Sequence, residues 1–556
     1  MRKLLFLFLY LIGTQQAFSQ WNNNTTINNL VANPAQSNSQ SWCVTDGSGG
    51  SIIIFSSDDD IYAQKISSAG NISWGSTSAP VLICNAINGQ NFDNAIADGA
   101  GGAFIVWDDF RHDLDNGEIY MQQVNSAGVA LWAANGIRVT NTPNNNDFSG
   151  YLCTDGSGGV IVYWNWDNNV NNTQTAAQRY NGAGVAQWTA NGVAVSSSPG
   201  FRLGTGIVSD GASGAILFFM DSRDDLNGTD YDFLINNDII NLNIYAQRLN
   251  GSGVRLWTNN GVAVCTATSN QYDNGLNTAV SDGSGGAIYL FGDRRDDIPD
   301  MNGDPTNVDL YAQKLNSSGV AQWAANGVPV TRAAGNQVEE SIASDGAGGI
   351  VASWQNESNP RIYSQKIISS GTANWTLNGI LISPASSVSH DARLIADGAG
   401  NFIYGFLTDF GSETRLLAQK VNATGALQWG VNSAAVCNNT AGISALPAIV
   451  LSDNSGAILS WADSRNIATG LDIFASKMLS SGILAGGSTS MFISTANGNW
   501  NNPATWVGGV VPSATAQVTV RHSVTVSAST TCKSLRVEQP AGNVIVNTGI
   551  KLTITN

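Results

Sequence analysis

The sequence predicts an all-β protein: an eight-bladed β-propeller of four-stranded blades that an N-terminal strand closes, followed by a small β-rich module. Three observations lead to this prediction: the composition, a turn phrase that recurs eight times, and the division of strands between the two ends of the repeats. Of the 556 residues, 60 are glycine and only 12% are charged. Short strands joined by tight turns fit this composition, whereas long helices do not.

Each repeat opens with Asp-Gly-Ser/Ala-Gly-Gly or a close variant. A strand such as Ile-Tyr-Ala-Gln-Lys at residues 61–65 follows, then a turn such as Asn-Ser-Ser-Gly at residues 316–319. The first seven repeats add a strand with a fixed tryptophan. Four short strands every fifty to seventy residues are typical of a propeller blade, which buries its faces only against its neighbours. The repeats begin at Asp46, Asp98, Asp155, Asp210, Asp282, Asp345, Asp397 and Asp453.

An aromatic residue lies in the strand that follows each turn phrase. It comes nine residues after the Asp in the first seven repeats and eight residues after it in the last. Because Phe or Trp fills this position in every repeat, we expect these side chains to fill equivalent volumes between blades and not to form a sugar-stacking ring. They are Phe55, Trp107, Trp164, Phe219, Phe291, Trp354, Phe406 and Trp461.

The two ends of the repeat region complement each other. The last repeat lacks the tryptophan strand, while a segment that starts at Trp21 precedes the first turn phrase. A strand that begins near Trp21 and pairs with the last blade would close the ring and leave no unpaired edge. A solenoid is the alternative architecture, but it gives no reason to divide a blade between the termini. The sequence therefore predicts a propeller over residues 20–487 and a β-rich module over residues 488–556.

Residues 1–19 have the order of a secretory signal peptide. Arg2 and Lys3 precede an apolar run at residues 4–12 and a polar stretch that ends in Ala-Phe-Ser-Gln. The apolar run is shorter than the ~20 residues of a membrane-spanning helix. We therefore expect cleavage after Ser19, no transmembrane span, and a protein that is secreted or lies on the outer cell surface.

The charge balance excludes several classes of function. Twenty-five basic and 41 acidic residues give a formal net charge of -16, which repels phosphate backbones, so nucleic-acid binding is not expected. The three histidines, His112, His390 and His522, are far apart in sequence. The sequence therefore has too few histidines, too widely separated, to favour a histidine-rich metal centre or a Ser-His relay.

Two parts of the chain resemble known secreted proteins. The phrase from Tyr311 to Trp323 resembles the repeat phrase of bacterial secreted β-propeller proteins. The resemblance implies the propeller fold, and it leaves the activity open because that class includes binding, adhesion and envelope functions. Residues 499–512, which contain Asn-Trp-Asn-Asn-Pro-Ala-Thr-Trp, Gly-Gly and Val-Pro, resemble the opening segment of secreted right-handed β-helix proteins. That resemblance implies a β-helix-like C-terminal module.

The two faces of the predicted propeller differ in how much their loops vary. The first and third turns of each blade share one face, and they are short and nearly identical among the repeats. The second turn and the link between blades share the opposite face, where loop length varies. Loops that vary on a rigid scaffold are where function usually lies. We call this second surface the variable-loop face and expect ligands to bind there.

Four blades begin the second loop with Asp-x-Arg. One interpretation is a ring of acidic and basic groups at the channel mouth that binds sugars or carboxylates. The other is an internal charge pair that fixes the loop or bridges two blades. The candidate ligand-binding residues are Asp109, Arg111, Asp221, Arg223, Asp293, Arg295, Asp463 and Arg465.

Three of these loops continue into acidic Asn-Gly turns, in blades two, four and five. Calcium takes about six to eight oxygen ligands from carboxylates and carbonyls on flexible turns. These loops supply such oxygens, although Asn-Gly also forms turns without a metal. The candidate calcium ligands are Asp113, Asp115, Glu118, Asp297, Asp300, Asn302 and Asp304.

The functional prediction is a binding or adhesion scaffold that holds a glycan or a surface protein through the variable-loop face. The alternative is a carbohydrate-active hydrolase or lyase that uses the same face. A glycosidase needs two carboxylates ~5 to 10 Å apart, and no spacing in the sequence singles out such a pair. No catalytic residues are therefore assigned at this stage.

Calcium binding predicts a change in thermal stability. If the loops bind calcium only in the folded state, adding calcium should raise the melting temperature and EDTA should reverse the increase. Differential scanning calorimetry measures this directly. Equal melting curves with calcium and with EDTA would leave turn formation as the role of these residues.

Overall fold

The computed structural model divides the chain into two compact units, Asn22–Ala485 and a second unit of Met1–Trp21 with Gly486–Asn556. No helix in the described part of the chain is both long and apolar enough to cross a membrane. The description covers residues 21–33, 38–142, 145–167, 173–223, 242–272, 278–297, 307–411, 413–438, 442–443, 447–465, 470–485, 491–506, 511–512, 517–532, 534–537 and 542–554.

The larger unit is an eight-bladed β-propeller of antiparallel four-stranded blades, which confirms the predicted fold class. The first strand of each blade contacts the first strand of the next around a closed ring, so these strands surround the axis. In blade five the first strand is recorded as two pieces.

The strands of blades one to four follow the chain order within each blade. They are Asn38–Thr45, Ser51–Ser57, Asp60–Ile66 and Val81–Cys84; Gln90–Ala97, Ala103–Asp109, Glu118–Val124 and Ile137–Arg138; Asn146–Thr154, Val160–Asp167, Gln174–Tyr180 and Val193–Ala194; Arg202–Ser209, Ala215–Asp221, Asn243–Leu249 and Val262–Cys265.

Blades five to seven have the same order, and blade eight takes its fourth strand from the N-terminus. Their strands are Gln271–Tyr272 with Ala279–Ser281, Ala287–Asp293, Asp309–Leu315 and Val328–Thr331; Gln337–Ser344, Ile350–Asn356, Ile362–Ile367 and Ile380–Leu381; Val388–Ala396, Phe402–Phe410, Glu413–Val421 and Ala434–Cys437; Ala448–Leu451, Ala457–Asp463, Asp472–Met478 and Asn29–Ala32.

The N-terminal closure is confirmed, with a correction to its position. Strand Asn29–Ala32 pairs antiparallel with Asp472–Met478 and places Leu30 opposite Phe474. The closing strand was expected to begin near Trp21, but Trp21 groups with the other unit. The difference arises because the fourth strand of a blade needs only a few residues opposite the middle of the third strand, and residues 29–32 supply them.

The Asp of the repeated turn phrase holds its own turn and joins neighbouring blades. In blade one, Asp46 Oδ1 accepts hydrogen bonds from the amides of Ser48 and Gly50, both at 2.8 Å. Its other oxygen faces Lys65 Nζ at 3.5 Å, and that ammonium donates to the Gly101 carbonyl of the next blade. The equivalent pairs are Asp155–Arg179, Asp210–Arg248, Asp282–Lys314, Asp345–Lys366, Asp397–Lys420 and Asp453–Lys477.

The fixed tryptophan contacts the third turn of the next blade. Trp323 Nε1 donates to the Ser369 carbonyl at 3.0 Å. Gly371, with φ of 83°, lies so close that a Cβ would come within 2.8 Å of the indole. Tryptophan and glycine therefore recur together because each blade packs its tryptophan on the glycine of its neighbour. The other pairs are Trp74–Gly128, Trp132–Gly184, Trp188–Gly253, Trp257–Gly319, Trp375–Gly425 and Trp429–Gly482.

The eight repeated aromatics are buried between blades, as predicted, with at most 2% of each residue exposed. Trp354 of blade six is representative. It packs in one apolar cluster with Leu290 and Leu310 of blade five and stacks on Tyr363 with ring centroids 6.4 Å apart. These side chains form the core and are not exposed for stacking on a sugar.

The smaller unit contains short strands that pair in parallel. Residues far apart in sequence stack in register, as where Val524 lies opposite Val544. Trp500 and Trp506 are buried, with ring centroids 5.1 Å apart and the rings at 73°. The three sheets are Met491–Ile493, Gln517–Val520 and Ser534–Val537; Gly498–Asn499, Ser523–Val526 and Asn543–Val546; Thr530–Cys532 and Leu552–Ile554.

Removing an interblade aromatic should destabilise the propeller strongly. We expect Trp354→Ala to cost ~3 to 5 kcal/mol, because truncation of a buried aromatic loses its burial and leaves a cavity. Leu377→Ala is the control, since Leu377 is 89% exposed and its loss should cost less than ~0.5 kcal/mol. Equilibrium denaturation of both variants provides the comparison. Equal midpoints would contradict the core assignment.

Candidate functional site

The first strands carry β-bulges where they line the channel. The pairing register with the second strand shifts in blades one, two, three, four, six and seven. At three of these bulges Ser149, Glu339 and Asp391 each have φ of 57°. A bulge inserts an unpaired residue and re-aims its neighbours. The bulges therefore turn polar side chains of the first strands toward the channel.

The bulges lie near the variable-loop face. Gln90, the first residue of its strand, pairs with Asp109, the last residue of the second strand and the start of the Asp-x-Arg loop. The bulge at Asp93 follows within a few residues of that edge. The layer of bulges is therefore the first part of the channel that a ligand entering from this face would meet.

A cavity of about 900 Å³ occupies the channel at this level. Residues from the first strands of blades one, two, three, six, seven and eight contribute to its wall. The wall combines aromatic rings with charged groups. The rings belong to Trp42, Phe92 and Tyr151, and the charged groups to Asp93, His390, Asp391 and Arg393.

Blades six and seven form a hydrogen-bonded cluster on one wall. His390 Nδ1 lies 2.8 Å from an Asp391 carboxylate oxygen, and His390 Nε2 lies 3.6 Å from Asp409. The Asp391 amide donates to Glu339 Oε2 at 2.6 Å. The hydrogen bond to Asp391 raises the pKa of His390, although partial burial of the ring acts against it. Desolvation raises the pKa of Glu339.

Arg393 lies three residues beyond His390 on the same wall. Its Nη1 donates to the Ala392 carbonyl at 2.9 Å. Within the described residues, no carboxylate lies within 4 Å of its guanidinium. Burial lowers the pKa of Arg393, while Asp391 and Glu339 act in the opposite direction. Arginine stays protonated in proteins, so the channel wall carries a cation whose remaining donors are available to a ligand.

Blade two supplies two neighbouring carboxyl groups, and blade three donates an amide to one of them. Asp93 accepts the Gly150 amide at 2.9 Å and interacts with Asp108 on the second strand. Desolvation raises the pKa of Asp93 to about 6 and raises that of Asp108 well above its ordinary value, which repulsion from Asp93 increases further. Two neighbouring carboxyls cannot both ionise readily, so one of them holds a proton near neutral pH.

Asp93 and Glu339 have equivalent structural roles. Each carboxylate lies in the bulge of one blade and accepts an amide from the bulge of the next, Gly150 and Asp391 respectively. A buried amide at a bulge needs such an acceptor because it lies outside the regular sheet hydrogen bonds. The same two side chains therefore join the bulges of neighbouring blades.

The Asp-x-Arg residues form an internal clamp in each of the four blades. Arg111 Nε donates to Asp109 at 2.7 Å, Nη2 donates to the Asn135 carbonyl at 2.8 Å, and the guanidinium lies 3.9 Å from the Tyr120 ring centroid. Trp107 Nε1 also donates to Asp109. The equivalent cations lie over aromatic rings as Arg223–Tyr245, Arg295–Tyr311 and Arg465–Phe474.

Within each clamp the aspartate and the arginine neutralise each other, so neither charge requires a ligand. Asp109, Asp221, Asp293 and Asp463 are buried, with at most 1% of each residue exposed. Each carboxylate is paired with the arginine two residues later in the chain. Direct contact of these residues with a ligand stays a prediction.

The candidate calcium ligands are held by local contacts where they are described. Asp113 accepts the Asp115 amide at 2.9 Å, and Glu118 pairs with His112 and Arg138. Asp297 faces Arg294 at 3.3 Å. Asp300, Asn302 and Asp304 lie outside the described residues. Across the part of the chain that the structure describes, no three His, Cys, Asp or Glu side chains converge as a metal site. Calcium binding stays a prediction.

The repeat pattern did not point to the channel cluster. His390 was noted only as one of three scattered histidines, and Glu339 was given no role. Asp93, Asp391 and Arg393 were not singled out. The usable signal was the first strand of each repeat, where the alternation of apolar and polar residues breaks and charged residues enter in blades two, six and seven.

No family model and no curated protein matches the chain. Among solved structures, it is similar to an ulvan lyase of a new polysaccharide lyase family, with 11% identity over 71% of this chain and 94% of that one and a TM-score of 0.42. It is similar to an oligogalacturonate lyase in complex with manganese, with 10% identity over 80% and 97% and a TM-score of 0.39. A six-bladed propeller lectin from the fungus Aleuria aurantia has 11% identity over 71% and 94% and a TM-score of 0.30. None of these similarities assigns a function to this chain.

The carboxyl pair predicts a pH dependence of stability. The pKa of Asp93 is about 6 in the folded protein against ~3.9 in an unfolded chain. Between these values Asp93 binds more protons in the folded state, so the contribution of this carboxyl to stability is fully present below pH ~4 and is lost as the pH rises through 6. We expect Asp93→Asn, which keeps an oxygen for the Gly150 amide, to melt a few degrees above the wild type at pH 8.

Melting temperatures measured from pH 4 to pH 8 test this expectation. Asp115→Asn is the matched control because Asp115 is exposed in a surface loop, and its curve should follow the wild type. Parallel curves for Asp93→Asn and the wild type would show that Asp93 ionises normally.

Proposed function

We propose that the protein binds a saccharide in the mouth of the propeller channel, entered from the variable-loop face. The observation that carries this proposal is the cavity of about 900 Å³ in which Trp42, Phe92 and Tyr151 lie beside charged and polar groups. Ligand sites combine apolar walls with a few polar groups that fix orientation. Aromatic faces suit the C–H faces of a sugar ring, while carboxylates, imidazole and guanidinium suit its hydroxyls.

The rest of the chain fits a binding scaffold. The signal-like residues 1–19 support a protein that is secreted or displayed on the outer cell surface. The parallel strands of the C-terminal unit support a small β-helix-like module that acts as a spacer or attachment point. A surface protein is the alternative partner, and it would have to insert a loop into the channel. The cavity favours the saccharide because its polar groups lie below the rim.

A carbohydrate-active hydrolase or lyase is the second candidate. The Asp93–Asp108 pair favours it, since a carboxyl that is protonated near neutral pH can act as a general acid. Asp93 also accepts the Gly150 amide and so has a structural role. Because that role explains Asp93 without catalysis, binding remains the first candidate function. Release of reducing ends or of unsaturated uronate products from a bound glycan would favour the enzyme, and Asp93→Asn should then abolish turnover while binding remains.

A glycan array followed by calorimetry tests the binding proposal. We expect Trp42→Ala to weaken binding of an array-positive glycan at least tenfold, because stacking on the channel wall is lost. Trp132→Ala is the control, since Trp132 lies outside the channel and packs on the third turn of blade three. If Trp42→Ala does not fold, Phe92→Ala serves as the channel variant. Wild-type affinity in a folded channel variant, or an array without any bound glycan, would refute the proposal.

A further inference from the structure

We propose that the saccharide bound in the channel carries an acidic group, a carboxylate or a sulfate ester, and that Arg393 binds it. This inference rests on the proposed function and names the class of ligand. It is carried by the position of Arg393 on the wall of the cavity and by the absence of an acidic partner for it.

Arg393 differs from the arginines of the Asp-x-Arg clamps. Arg111, Arg223 and Arg295 each lie against the carboxylate two residues before them in the chain. Within the described residues, the one hydrogen bond recorded for Arg393 goes to a neighbouring carbonyl, and no carboxylate lies within 4 Å. Asp391 and Glu339 attract the Arg393 cation from farther away, but neither forms an ion pair with it. A ligand anion with two oxygens would supply the missing partner in the bidentate geometry that guanidinium prefers.

The acids near Arg393 are engaged by other groups. The Asp391 carboxylate pairs with His390, and the Glu339 carboxylate accepts the Asp391 amide. Asp409 faces the other nitrogen of His390. When His390 is protonated, it offsets the charge of one of these carboxylates. Arg393 keeps guanidinium donors that no described carboxylate occupies. The wall of blade seven therefore presents the donors that an anionic group requires.

The opposite wall determines the orientation of the ligand. Blades two and three stand across the ring of eight from blades six and seven. Asp93 lines that wall and shares a proton with Asp108 of the neighbouring strand. The pair therefore suits ligand hydroxyls and repels an anion. An acidic sugar would therefore place its charged group at Arg393 and its hydroxyls toward Asp93. Trp42 and Tyr151 lie on the same cavity wall and can contact the ring between them.

Matched glycan pairs that differ only in charge provide the test. Isothermal titration uses oligogalacturonate against its fully methyl-esterified form for the carboxylate source, and a sulfated galactan oligosaccharide against its desulfated form for the sulfate source. At least one acidic probe should bind ten times more tightly than its neutral match. Arg393→Ala should remove that difference, and Arg255→Ala, on the other face of blade four, should preserve it.

The outcomes separate this inference from the proposed function. Equal binding of acidic and neutral probes refutes the acidic ligand but leaves saccharide binding intact. Failure of all four probes refutes the acidic ligand, whereas an empty glycan array refutes saccharide binding itself. A charge preference that survives in a folded Arg393→Ala variant assigns the anion to another residue. If that variant does not fold, Arg393→Lys keeps the charge without the bidentate geometry and should bind the acidic probe with intermediate affinity.

Discussion

Burial of each blade against its two neighbours is the constraint on which the rest of the structure depends. A four-stranded sheet cannot cover its own faces, so every blade needs contact on both sides. The repeat phrase supplies these contacts at three places in the blade. They are the turn aspartate with its cation, the buried aromatic of the second strand, and the tryptophan that packs on the neighbouring glycine. Because the ring closes, no blade is left at an edge.

These interblade contacts explain which positions can differ between blades. Positions that touch the next blade repeat with few changes because each change would disturb two blades. At the bulges of the first strands, single side chains make contacts to the next blade, as where Asp93 meets the Gly150 amide. They can therefore differ from blade to blade without opening the ring. The channel gains an asymmetric set of charged groups on a symmetric scaffold, which is what recognition of one ligand requires.

Much of the fold could be predicted from the sequence, because equivalent packing between blades requires the same residue types in every repeat. The number of blades and the completion of the last blade by the N-terminus followed from counting turns and strands. The start of the closing strand did not, since the segment from Trp21 to Leu30 has no apolar alternation that marks it. The Asp-x-Arg motif and the channel cluster lie toward the same face, but the sequence pattern drew attention only to the motif. Asp-x-Arg repeats because it clamps loops, whereas Arg393 occurs once and its importance depends on a bulge that only the pairing register reveals.

The N-terminal closing strand also sets the order in which the molecule can assemble. Leu30 is synthesised early, yet its partner Phe474 lies more than four hundred residues later. Contacts of such high sequence separation form slowly, because a long segment of chain must be ordered before they are gained. The ring therefore cannot close before strand Asp472–Met478 has been synthesised, and blade eight keeps an open edge until then. Folding of the ring as one closed unit therefore waits for both of its ends, and until they meet, the edge strand Asp472–Met478 is open to wrong pairing.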